Sequence, residues 1–206
     1  MNFGTQNRGY RMLRIKIKKL EKLLNYKIKK NFSSVGFDTA EVCGVGFITT
    51  TTKDVEINWE VLEFDKSNIR HVYKELCKES LNIMSRNCDM CIIEDTYLRF
   101  FGRFPQVDVL KKLSRFGGII LANAINNDIQ YEIVGATQAR SKFKISTAGY
   151  GRGNSKEAVH DWLQKTLGID LEENNACDAI VLALLGVCEG IDYTVKKKKK
   201  KRSKSK

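Results

Sequence analysis

The chain has 206 residues and is 42% hydrophobic, enough for one packed core with appendages and too little for two full domains. Its net charge of +12 is uneven: residues 1–30 and residues 196–206 each carry +9, which leaves residues 31–195 at −6. Six irregularly spaced cysteines, no secretory leader and no long apolar run argue against a secreted disulfide scaffold and a membrane span, and predict an intracellular protein with reduced thiols.

Residues 12–30 predict a basic amphipathic helix, because Leu13, Ile17, Leu20, Leu24 and Ile28 recur at three or four while Lys16, Lys19, Lys22 and Lys29 take other faces. Such a stripe packs on its own domain or on a second copy, or the helix lies on DNA; spacing alone leaves these open. Strands follow at about 32–38, 42–51 and 54–64, joined by Thr39-Ala40-Glu41 and a Lys53-Asp54 turn, as in an antiparallel meander. A helix spans 68–86 with Ser67 as its expected cap, and a buried strand at 90–95 contains Glu94.

A second helix follows Pro105 and stops at Asn126-Asn127-Asp128, and Tyr131 to Thr137 reads as a fifth strand. Gly149, Gly151 and Gly153 form a loop, Asn154 or Ser155 caps a helix to about 167, and a last helix begins near Asn174. The pattern divides the chain into a basic helix over 1–30, an α/β domain over 31–190 and a disordered lysine-rich tail over 191–206. That tail either grips a polyanion or serves as a solubilising or targeting segment.

Three acids occupy matched positions. Asp38 ends the run Ser34-Val35-Gly36-Phe37, Glu94 ends Met90-Cys91-Ile92-Ile93, and Asp178 opens the apolar stretch Ala179 to Leu185. Each alone is an ordinary turn or cap residue. Together, on strand, strand and helix, they offer the hard oxygen ligands that metal-dependent phosphoryl transfer requires. Asp38 and Glu94 share one end of a sheet only if their strands are parallel neighbours, and Asp95 then points to the opposite face.

Other motifs carry less. Cys88-Asp89-Met90-Cys91 has half a zinc site's spacing without a second pair. The glycine loop lacks the Lys-Ser/Thr of a phosphate-binding loop, so no nucleotide cofactor is expected. His71 and His160 read as surface or packing residues.

Four segments together resemble the RuvC-type Holliday junction resolvases of the RNase H-like superfamily, in a viral or phage-like form. Val35-Gly36-Phe37-Asp38 with Gly44 and Gly46 is similar to that family's first hairpin, and Ile92-Ile93-Glu94 to its second acid. Phe143-Lys144-Ile145 leading to Gly149-Tyr150-Gly151 resembles its Val-Lys stretch and Gly-x-Gly turn. Asn175-Ala176-Cys177-Asp178-Ala179 resembles its Asp-x-x-Asp-Ala, with Asn175 in place of the first acid.

The resemblance implies a five-stranded mixed sheet, three antiparallel strands then two parallel, flanked by helices. It implies a homodimeric endonuclease that resolves four-way DNA junctions in recombination and repair, located in the cytoplasm, the nucleus or a viral replication site. Two Mg²⁺ ions, replaceable by Mn²⁺, would bind Asp38, Glu94, Asp178 and Asn175, with Glu173 as the substitute acid. Lys144 would touch the scissile phosphate and Lys156 is the second basic candidate. Arg99 and Arg103, among Tyr97, Phe100, Phe101 and Phe104, follow Glu94 where a DNA-contacting loop could lie. The alternatives are a non-catalytic branched-DNA-binding protein and a broader flap or fork nuclease.

Overall fold

A computed structural model describes residues 11–40, 42–65, 67–95, 107–151, 154–171 and 176–193. The centre is the expected meander: β2 (Phe32–Asp38), β3 (Cys43–Thr50) and β4 (Asp54–Leu62) pair antiparallel. The turn into β4 closes on Thr51, whose side-chain oxygen accepts the amides of Lys53 at 3.2 Å and Asp54 at 2.9 Å. β5 (Met90–Glu94) lies parallel to β2, and β6 (Gln130–Val134) parallel to β5.

The sheet has a sixth strand. Where one helix over 12–30 is predicted, Arg11–Lys16 forms β1, antiparallel to β4, and Ile17–Leu24 forms the short helix α1. Leu13, Ile15 and Ile17 alternate at two, and the edge of β4 offers unpaired backbone groups that a strand can satisfy. Lys16 pairs with Asp54 at 2.8 Å, and Arg14 pairs with Glu56. Asn25, left-handed at φ 58°, ends α1. The helical stripe is real over the shorter span, since Ile17, Leu20 and Leu24 are buried against the chain's own core. The sheet order is β1-β4-β3-β2-β5-β6.

Helices cover both faces. On one, α2 (Ile69–Met84) and α3 (Val107–Asn126) meet Val35, Phe37, Val45 and Ile93. The cap of α2 is Asn68 rather than Ser67: its Oδ1 accepts the amides of Arg70 at 3.0 Å and His71 at 3.4 Å. On the other face lie α1, α4 (Ala136–Lys142), α5 (Ser155–Leu167) and α6 (Cys177–Val187). The predicted strand over 131–137 thus ends at Val134, and after Gly135 the run Ala136-Thr137-Gln138-Ala139 turns into α4. Asn154 stands at the N-terminus of α5 without a side-chain capping bond.

Every residue of α6 is buried, and glycine explains how closely it lies on the sheet. Gly36 and Gly46 are register partners on β2 and β3. A Cβ on Gly46 would stand 2.6 Å from the Ala179 carbonyl oxygen, and one on Gly36 2.5 Å from the Ala183 amide nitrogen. Only bare backbone admits the helix at this depth. Tyr26, just after α1, meets Phe143 edge-on, and Phe143 stacks on Trp162, which ties α1 to α4 and α5. Among the described residues no helix is long and apolar enough to cross a membrane.

Candidate active site

Strand periodicity aims Asp38. Val35 and Phe37 face α2 and α3, so Gly36 and Asp38 face α6. Phe37 lies opposite Ile93 in the parallel β2–β5 pair, so Asp38 and Glu94 emerge side by side at one end of the sheet, as expected for parallel neighbours. Asp178 is the second residue of α6, whose start is laid over that end by Gly36 and Gly46. Asp38 and Asp178 are each 4% exposed, an unusual depth for carboxylates unless something compensates their charge.

Crowding shows in the electrostatics. The Glu94 carboxyl is pushed up to about 9, first by burial, then by its hydrogen bond with Asp38 and by the charges of Asp38 and Asp178; Arg140 pulls it partly back. Burial, with the Asp178 charge next in weight, pushes the neighbouring Cys177 thiol up to about 12. Burial likewise raises Cys43, helped by Asp38 and Glu94, so neither thiol is a nucleophile here.

Among the described residues, two cations reach the acids. Arg140, in the last turn of α4, holds Asp178 with both branches of its fork: Nε donates to Oδ1 at 2.9 Å and Nη2 to Oδ2 at 2.6 Å. Lys156, near the start of α5, places Nζ 3.6 Å from Asp38 Oδ2, and that oxygen is buried without a hydrogen-bond partner.

Of the residues proposed from sequence, Asp38, Glu94, Asp178 and Lys156 converge. Lys144 is exposed, left-handed at φ 56°, and its amide donates to the Ser141 carbonyl; it forms no ion pair with the three acids. Asn175, Glu173, Arg99, Arg103 and the aromatic cluster at 97–104 lie outside the described residues. His71 pairs with Glu75, while His160 stands 3.3 Å from Asp170 and accepts the Leu171 amide. Cys88 and Cys91 are buried thiols.

Arg140 is the residue the sequence reading missed. Read as strand, 131–137 ends before it. A helical reading of Ala136 to Lys142 would have put Ala136, Ala139 and Phe143 on one apolar stripe and left Arg140 beside it.

Three carboxylates on two strands and a helix are hard oxygen donors of the kind Mg²⁺ or Mn²⁺ takes, and the Asp38 oxygen without a hydrogen-bond partner and the pressed-up Glu94 mark a place where a cation relieves crowding. Among the described residues, no three His, Cys, Asp or Glu side chains are arranged to hold a metal ion.

No family model matches the chain, and no curated protein matches it significantly. Solved structures do. RuvC of Thermus thermophilus in complex with a Holliday junction substrate is similar at a TM-score of 0.58 and 18% identity, over 74% of this chain and 90% of that one. A second Thermus thermophilus RuvC structure gives 0.57 and 17%, over 74% and 92%. The yeast mitochondrial Holliday junction resolvase Ydc2 gives 0.48 and 10%, over 80% and 81%. The chain therefore has the RNase H-like fold, a mixed sheet flanked by helices in the arrangement of the RuvC structures, with β1 included in a six-stranded rather than five-stranded sheet.

Proposed function

We propose that this protein is a divalent-metal-dependent DNA endonuclease that resolves four-way junctions. The observation that carries the reading is the meeting of Asp38, Glu94 and Asp178 at one end of the sheet, in a fold shared with a structure that contains a Holliday junction. Asp38, Glu94 and Asp178 would hold Mg²⁺ or Mn²⁺, with Asn175 completing the set for a second ion and Glu173 as the alternative acid. Bound there, the metal supplies activation of water and charge stabilisation at the leaving oxygen.

The chain's own residues do the rest. Asp38 and Glu94 would hold the cation, Lys156 beside Asp38 would donate to a phosphate oxygen, and Arg140 is held on Asp178. Lys144, Arg99 and Arg103 are proposed DNA contacts, and paired cuts across a junction call for a homodimer.

Glu94→Ala is expected to abolish cleavage of a synthetic four-way junction in Mg²⁺ while leaving binding in Ca²⁺ intact. Retained cleavage would sink the assignment. A second reading, a branched-DNA-binding protein without hydrolytic activity, is favoured by one observation: Arg140 occupies both oxygens of Asp178. Tight junction binding with no cutting in Mg²⁺ or Mn²⁺ would establish it.

A further inference from the structure

Arg140 stands where a divalent ion needs a ligand. Both Asp178 oxygens are engaged by one guanidinium, and the two side chains are only 12% and 5% exposed. A fork meeting a carboxylate in this way is the strongest pairing an arginine makes. Asp38 contrasts with it, since its Oδ2 is buried without a hydrogen-bond partner and its nearby cation, Lys156, stays at 3.6 Å.

A guanidinium and a divalent ion compete for Asp178, because their like charges repel where burial weakens screening. A phosphodiester, however, offers the same planar fork two oxygens of its own. We propose that Arg140 is an exchangeable counter-cation: it occupies Asp178 while DNA is absent, opposes the metal there, and moves to a backbone phosphate when DNA enters. Asp178 is then released to the metal. Metal and DNA binding become mutually reinforcing, by the same factor in either direction. The exchange onto phosphate rests on the nuclease reading above, whereas the competition for Asp178 does not.

Titration calorimetry with Mn²⁺ on the full, DNA-free chain separates the two. Arg140→Gln is expected to bind Mn²⁺ about tenfold more tightly than the parent, with Arg140→Lys between them, since an ammonium keeps the charge and loses the fork. Asp178→Asn should lose affinity. In a second measurement, Ca²⁺ should raise the parent's affinity for a four-way junction, and Arg140→Gln should remove that enhancement. Unchanged or weaker Mn²⁺ binding in the folded arginine variants overturns the competition, and Arg140→Lys alone decides it if the glutamine variant does not fold. A parent that binds junctions with no response to Ca²⁺ overturns the exchange. If the parent neither binds nor cuts junctions, the nuclease reading and the exchange fall together, while the Mn²⁺ comparison still decides the competition.

Discussion

The two faces of the central sheet are packed by different means. Toward α2 and α3 the strands send large side chains, among them the fully buried Phe37, and the layers are held apart by them. Toward α6 they send Gly36 and Gly46, so helix backbone lies on strand backbone. The first arrangement supplies stability through buried apolar volume, and its cost of change is spread over many contacts. The second leaves little slack, and it is the one that sets Asp178 over Asp38 and Glu94. Precision is concentrated where two glycines let α6 lie on the strand backbone.

Substitutions should separate these roles. Phe37→Ala, on the volume-packed face, is expected to cost about 3–5 kcal/mol of stability. Measured well below its melting temperature, such a variant should still cut junctions, since the acids stand on the other face. Loss of cleavage in a folded Phe37→Ala protein would erase the distinction.

Gly46→Ala should cost less, about 1–3 kcal/mol, because a Cβ there meets the Ala179 carbonyl and pushes α6 outward. Its effect on cleavage should nonetheless exceed that of Phe37→Ala, read as single-turnover rate against urea midpoint for both. Ser34→Ala lies on the same face as Gly46 but removes a buried hydroxyl that has no hydrogen-bond partner. No loss of stability is expected, and a measurable loss in a denaturant melt would mean that the hydroxyl is satisfied after all.

Legibility in the sequence followed the length scale of each interaction. The meander, the buried strand ending in Glu94 and the apolar helix after Asp178 were readable because each announces itself within a few residues. The short elements were not. β1 and α1 share a stretch whose apolar residues satisfy both a period of two and a period of 3.6, and the open edge of β4 settles the matter in favour of a strand for its first half. α4 was hidden because Tyr131 to Thr137 is β-branched and aromatic enough to pass for one continuous strand, although Gly135 divides it.

The cations of the site divide in the same way. Lys144 stood out through its resemblance to a motif, and its side chain is exposed. Arg140, one turn earlier and without such a signal, reaches Asp178 because α4 packs against α6. Lys156 comes to Asp38 from the start of α5, whose position depends on its own packing against α6.

Local pattern was therefore sufficient to place the three acids on their strands and helix, since periodicity and chain order are properties of neighbouring residues, and the family resemblance supplied the kind of fold that gathers them. Which cation sits on which acid came from packing. Ion pairs join residues 38 apart in the chain, as in Arg140 and Asp178, or farther, as in Asp38 and Lys156. Their partners are selected by how closely helices lie on the sheet, a distance set by two glycines whose role appears only when α6 is laid across them.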